Sequence, residues 1–274
     1  MRISTNEEIA AIYYALWQCG YEYASLERDA AHITALTRFA EDTPHPFFSK
    51  TRQNTCEVYP FWPRAALLET ATYHVDRENV YFVDWDGLWQ KIIAMPNVTD
   101  EERDDAFWGW LADFPTALQD VLKRPGFKRY MTWAAEWVQM QNQFHERELA
   151  QIEQCLAACR ERYASPLKAV QLLIDPIKCV YSADYHITGE TLVFSSGRFC
   201  AESVIHEYLH HVVHPVIMRH ASYIPVREYP GLDVSYYAAG PLYAFEEHVV
   251  RQLTARVLTD NLPKELSSFV KQLL

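Results

Sequence analysis

The sequence predicts an α+β fold, mainly helical, and three observations carry that reading. Apolar residues recur every three or four positions through most of the first 165 residues. Short runs rich in Val, Ile, Leu, Tyr and Phe follow Ser165-Pro166, the pattern of a small sheet. Helical periodicity returns near Phe199 and continues to the end. The chain therefore divides into a mostly helical N-terminal region, 1–165, and a sheet-and-helix region, 166–274, with one compact unit as the alternative.

Each element has its own local cause. Between Asn6 and Trp17 the residues Ile9, Ile12, Tyr13 and Leu16 share one helical face, and Gly20 interrupts the pattern. Leu26, Ala30, Ile33, Leu36 and Phe39 repeat the period, until Thr43-Pro44-His45-Pro46 forces extended backbone and leaves His45 in a loop. Residues 63–73 suggest a short helix and 80–85 a short strand or an irregular connection. Thr99 and Asp100 stand before Glu101 and Glu102, an acidic first turn for a helix running towards Lys123. Residues 127–163 contain neither proline nor glycine, so one long helix or two with a bend are expected. All eight tryptophans lie in this half, where they are expected to fill the core. In the second half, 169–174, 179–182 and 191–194 are the candidate strands. One helix should run from near Phe199 to His214, where Pro215 discourages continuation. Another should open at Gly240-Pro241 and reach Leu258, and Pro263 should open a last short one.

Composition narrows the function classes. With 49% hydrophobic and 22% charged residues among 274, the chain has the profile of a folded protein with a sizeable core. Its net charge of -11, from 25 Lys plus Arg against 36 Asp plus Glu, repels nucleic-acid phosphates and anionic lipid, so neither nucleic acid nor membrane is an expected partner. Residues 1–16 carry Glu7 and Glu8 and lack a spanning apolar stretch, so no export signal is expected. Six cysteines form no Cys-x-x-Cys pair, which fits reduced thiols and a cytoplasmic setting.

The chemistry gathers in the second half. Six of eleven histidines fall between 206 and 248, and two of them form His206-Glu207-Tyr208-Leu209-His210. This composition gives about 0.035 chance matches to His-Glu-x-x-His per chain, so the match asks for a cause. On a helix, residues four apart lie on one face about 6 Å along the axis, close enough for two imidazoles to converge on one ion. Glu207 is turned about 100° from His206, suited to taking a proton from metal-bound water without ligating the ion. His211 and His214 fall too far around or along the helix to join that ion, and supporting or packing roles are expected for them. His220, beyond Pro215, is a weaker ligand candidate. A third ligand is needed, and the downstream helix offers Glu246 and Glu247. Periodicity with Val250, Leu253 and Val257 sets Glu246 nearer the middle of the apolar stripe and Glu247 at its margin.

With these motifs the chain resembles the zincin metallopeptidases, specifically the gluzincin type, in which a second helix supplies a glutamate after the His-Glu-x-x-His helix. His206-Glu-Tyr-Leu-His210, then His214-Pro215 and Glu247-His-Val-Val-Arg251, is similar to an uncharacterised group of bacterial gluzincin-like proteins, and His45-Pro46 fits an upstream His-Pro of that group. The resemblance covers the last 110 residues and extends only faintly to the N-terminal half. It implies a zincin-like C-terminal part, a Zn2+ ion held by His206, His210 and Glu247, and hydrolysis of a peptide or protein substrate with Glu207 as general base. It also implies a role for Arg251, one turn beyond Glu247, in pairing with a carboxylate or stabilising an oxyanion. Tyr236, Tyr237 and His248 are further oxyanion candidates, and Thr191 to Ser195 would be the edge strand that pairs with substrate. Thermolysin-like gluzincins carry Asp where this chain has Arg251, so their specificity does not transfer. The competing reading is a non-catalytic zinc- or peptide-binding, regulatory protein that keeps a zincin-like site.

Overall fold

The computed structural model describes residues 1–19, 30–53, 73–76, 79–82, 113–178, 183–232, 237 and 240–274. The fold is α+β and mainly helical, with a small sheet at its centre. Residues 63–72 of the expected helix over 63–73, the first part (99–112) of the separate helix expected to run towards Lys123, and the expected strand at 179–182 lie outside the described residues.

Strand β1 (Ile3–Ser4) leads into α1 (Glu7–Gln18). Asn6 caps α1 by accepting the Ile9 amide at 2.9 Å, and Glu7 and Glu8 complement the helix dipole. Helices α2 (Ala30–Thr37) and α3 (Pro46–Gln53) follow. His45-Pro46 opens α3 rather than ending a helix, because proline tolerates the first turn, where no backbone donor is required. A hairpin of β2 (Tyr73–Asp76) and β3 (Asn79–Phe82) precedes α4 (Phe114–Lys123), α5 (Pro125–Phe144) and α6 (Glu146–Tyr163). The stretch expected as one or two helices is two, divided at His145. Gly126 sits where any Cβ would collide with the Tyr14 hydroxyl and Glu41, so glycine lets α5 approach α1 closely.

Strands β4 (Ala169–Ile174), β5 (Ala183–Thr188) and β6 (Thr191–Ser196) complete a mixed sheet ordered β1-β4-β6-β5. The β1-β4 and β4-β6 pairs are parallel, and β5-β6 is an antiparallel hairpin closed by Gly189-Glu190, with Gly189 at φ 57° as a tight hairpin turn demands. Thr191 to Ser195 is therefore an inner strand, bonded on both sides. β5 stands at that edge, and the backbone of β2 lies beside it. The reason is legible in burial: β6 is buried on both faces from Leu192 to Ser196, which edge strands seldom are.

The sheet separates two cores. Leu173 and Val193 face the one built by α1 to α5, and Leu172, Ile174, Leu192 and Phe194 face the one built by the helices that follow. Those helices are α6, which contributes Leu149, Ile152, Leu156 and Cys159, together with α7 (Ala201–Met218), α8 (Pro241–Leu258) and α9 (Leu266–Leu273). Helix α7 does not stop at Pro215 but continues to Met218. Val212, Val213, Val216 and Ile217 are all buried, and burying each such side chain contributes about 1.5–3 kcal/mol, enough to hold the last turn despite the lost backbone bond. Helix α8 matches its expected bounds, with Gly240 at φ 104° before Pro241. Helix α9 begins three residues after Pro263, at Leu266. Among the described residues no helix is long and apolar enough to cross a membrane.

Candidate metal centre

Helices α7 and α8 pack against each other, and their facing residues build the site. On α7, Val204, Ile205, Tyr208 and Leu209 enter the core. The same register turns His206, Glu207, His210 and His214 towards a cleft of about 720 Å³. On α8, Ala244, Phe245, Val249 and Val250 anchor the helix, and Glu246 and Glu247 meet the α7 histidines.

Three side-chain atoms converge. His206 Nε2 and His210 Nε2 are 3.2 Å apart, and Glu247 Oε2 lies 3.3 Å from the first and 3.4 Å from the second. His206, His210 and Glu247 could hold a metal ion. Glu207 lines the same cleft.

The remaining polar groups brace this triangle. Arg251, one turn after Glu247, donates from Nε to Glu247 Oε1 at 2.6 Å and from a terminal nitrogen to the Gly231 carbonyl at 2.6 Å, leaving Oε2 to face the imidazoles. Glu246 bridges two histidines, with Oε1 at 3.0 Å from His210 Nδ1 and Oε2 at 2.7 Å from His214 Nδ1. Both glutamates are buried, at 7% and 5% exposure, and each has cationic or imidazole partners that offset the cost of burying a carboxylate. Burial raises the Glu247 carboxyl, but the hydrogen bonds from His206 and His210 and the Arg251 contact outweigh it and hold it far below the usual range. For Glu246 the balance has the same sign, through His210 and His214. Burial opposes charge on His210, yet the bonds to Glu246 and Glu247 push its pKa up to about 9. Burial and the neighbouring His210 charge push His211 down to about 4.

The site brings together most of the residues the sequence nominates. The stripe argument favoured Glu246 and the resemblance Glu247; the structure turns Glu247 to both Nε2 atoms and gives Glu246 the outer side of His210. Arg251 pairs with a carboxylate. Tyr237 is otherwise engaged: its hydroxyl accepts the Tyr229 amide at 2.6 Å and donates to the Tyr229 carbonyl at 3.2 Å. His248 stacks on the Tyr229 ring, 4.7 Å between centroids. Tyr236 lies outside the described residues. His45 belongs to another part of the fold, where it accepts the Phe47 amide at 3.2 Å. The cleft instead displays Tyr185 of β5 and Tyr243 of α8, 44% and 56% exposed. Sequence reasoning missed both, although Tyr243 stands four residues before Glu247 and so shares its helical face. Compared with protein families, curated proteins and solved structures, the chain finds no match.

Proposed function

We propose that this chain is a zinc-dependent metallopeptidase with a zincin-like site, hydrolysing a peptide bond with Glu207 as general base. One observation carries the reading: the His206, His210 and Glu247 atoms form a triangle with edges of 3.2, 3.3 and 3.4 Å. Ligands about 2.0–2.1 Å from a tetrahedral zinc ion stand about 3.3–3.4 Å from one another, so the observed triangle matches three of its corners. Two imidazoles and a carboxylate are also the ligand chemistry of a catalytic ion, whereas closed structural sites favour thiolates.

When bound, the ion supplies Lewis acidity, polarising a carbonyl and bringing the pKa of water towards neutrality. The chain's own residues do the rest. Glu246 holds the Nδ1 side of His210, which keeps a proton there and directs the Nε2 lone pair into the triangle. Arg251 holds Glu247 Oε1 and so fixes the direction of Oε2. Glu207, beside His206 in chain order and lining the same cleft, accepts a proton from water and returns it to the leaving amine.

Glu207→Gln tests the assignment. It should keep about one zinc per chain and lower kcat by at least about 100-fold, the usual contribution of a positioned general base. Turnover at the parent rate would remove Glu207 from that role.

A further inference from the structure

A second concavity, of about 540 Å³, adjoins the metal cleft, and His211 and Pro215 line both. Its charge differs from that of the cleft. Glu207, Glu246 and Glu247 line the cleft, whereas Arg162, Arg219 and Lys264 line the second concavity against the single carboxylate of Glu265. Three cations to one anion on one concave surface reverses the sign of a chain whose net charge is -11.

These cations are available to a ligand. Among the described residues, Arg162 makes a single, long hydrogen bond, 3.5 Å, to the Leu262 carbonyl. Arg219 and Lys264 are exposed, and neither is in an ion pair among the described residues. Glu265 is partly occupied, since its Oε2 accepts from Ser268 Oγ at 2.9 Å. Distance then limits what can reach both places. Arg219, the residue that caps α7, lies nine positions after His210, about 13–14 Å along the axis, and an extended peptide advances about 3.3 Å per residue.

We propose that this concavity takes a carboxylate of the bound peptide, about four residues from the bond held at the metal centre, so that the chain selects acidic peptides. The carboxylate is an Asp or Glu side chain, or the free C-terminus of a short peptide; both present the same group to Arg219 and Lys264. The scissile bond is named on the peptidase reading, but the carboxylate site can be measured without turnover.

The test titrates the zinc-loaded Glu207→Gln protein calorimetrically with neutral peptides of about ten residues. A single Asp is moved from position to position, and each peptide has a free or an amidated C-terminus. At low salt, the best-placed carboxylate should tighten binding at least about threefold over the neutral amidated parent, and the gain should shrink as salt screens it. The gain should vanish in Arg219→Gln/Lys264→Gln, while zinc content and binding of the neutral peptide stay unchanged. A gain that follows Asp whatever the terminus assigns the side chain; one abolished by amidation assigns the C-terminus. Equal binding of all peptides, absence of binding, or a gain that survives the double variant overturns the proposal. Cleavage of the same peptides by the parent chain is read separately. Charge-dependent binding without cleavage keeps the carboxylate site and removes the peptidase reading; cleavage with no charge preference does the reverse.

Discussion

Glu246 Oε1 and His210 Nδ1 meet at 3.0 Å, through the ring nitrogen that does not face His206 and Glu247. The other Glu246 oxygen is held by His214 at 2.7 Å, so one buried carboxylate sets the orientation of a candidate ligand without belonging to the triangle. Such outer partners of ligating histidines raise their basicity and fix their tautomer.

Glu246→Gln should therefore weaken zinc binding by about 10- to 100-fold while leaving the stoichiometry at one ion per chain. Competition with a chromophoric chelator measures the affinity. Unchanged affinity would mean that Glu246 serves packing alone.

Acidity should govern the metal-free chain. With its pKa raised from 6.5 to about 9, His210 carries a proton at neutral pH that an incoming ion must displace. Zinc affinity should thus rise with pH and level off above about 9, with roughly one proton released per ion near pH 7. Calorimetry in buffers of different ionisation enthalpy counts that proton. The same shift stabilises the metal-free fold fully below about pH 6.5, and this contribution is lost as pH rises through about 9. His211 acts with opposite sign in another window: its folded pKa of about 4 lies below 6.5, so stability is full above about pH 6.5 and declines as pH falls towards 4. Denaturant titrations of metal-free protein from pH 4 to 9 should show both slopes, and Glu246→Gln should flatten the alkaline one.

Pro215 inside α7 removes a backbone bond to the His211 carbonyl and crowds it. Pro215→Ala should stabilise the fold, by up to about 3 kcal/mol in urea denaturation. Destabilisation would show that the proline ring contributes more by packing than it costs.

Much of this architecture was legible because local chemistry and tertiary packing agree. The spacing of Ile9, Ile12, Tyr13 and Leu16 in α1, Gly240-Pro241, and the buried periodicity of α8 each mark a helix by its own residues. Strand β5 was missed because Asp184, Tyr185 and His186 lack the apolar density that marks a strand; its place at the sheet edge permits that composition. The end of α7 was misjudged because proline weakens a helix locally, whereas the four apolar residues that hold it act through the core. Choosing between Glu246 and Glu247 was beyond periodicity, since both are buried and their roles differ only in which imidazole nitrogen they meet. Tyr237 drew attention as a phenol near the motif, and only three-dimensional structure shows its hydroxyl returned to the Tyr229 backbone.

The central claim is that side chains from α7 and α8 grip one ion, and metal content tests it most directly. Elemental analysis of protein purified without metal-affinity steps, then dialysed against trace zinc, should find about one zinc per chain, and close to none in His206→Ala/His210→Ala. Zinc at background in the parent chain, or equal zinc in parent and variant, would contradict the account.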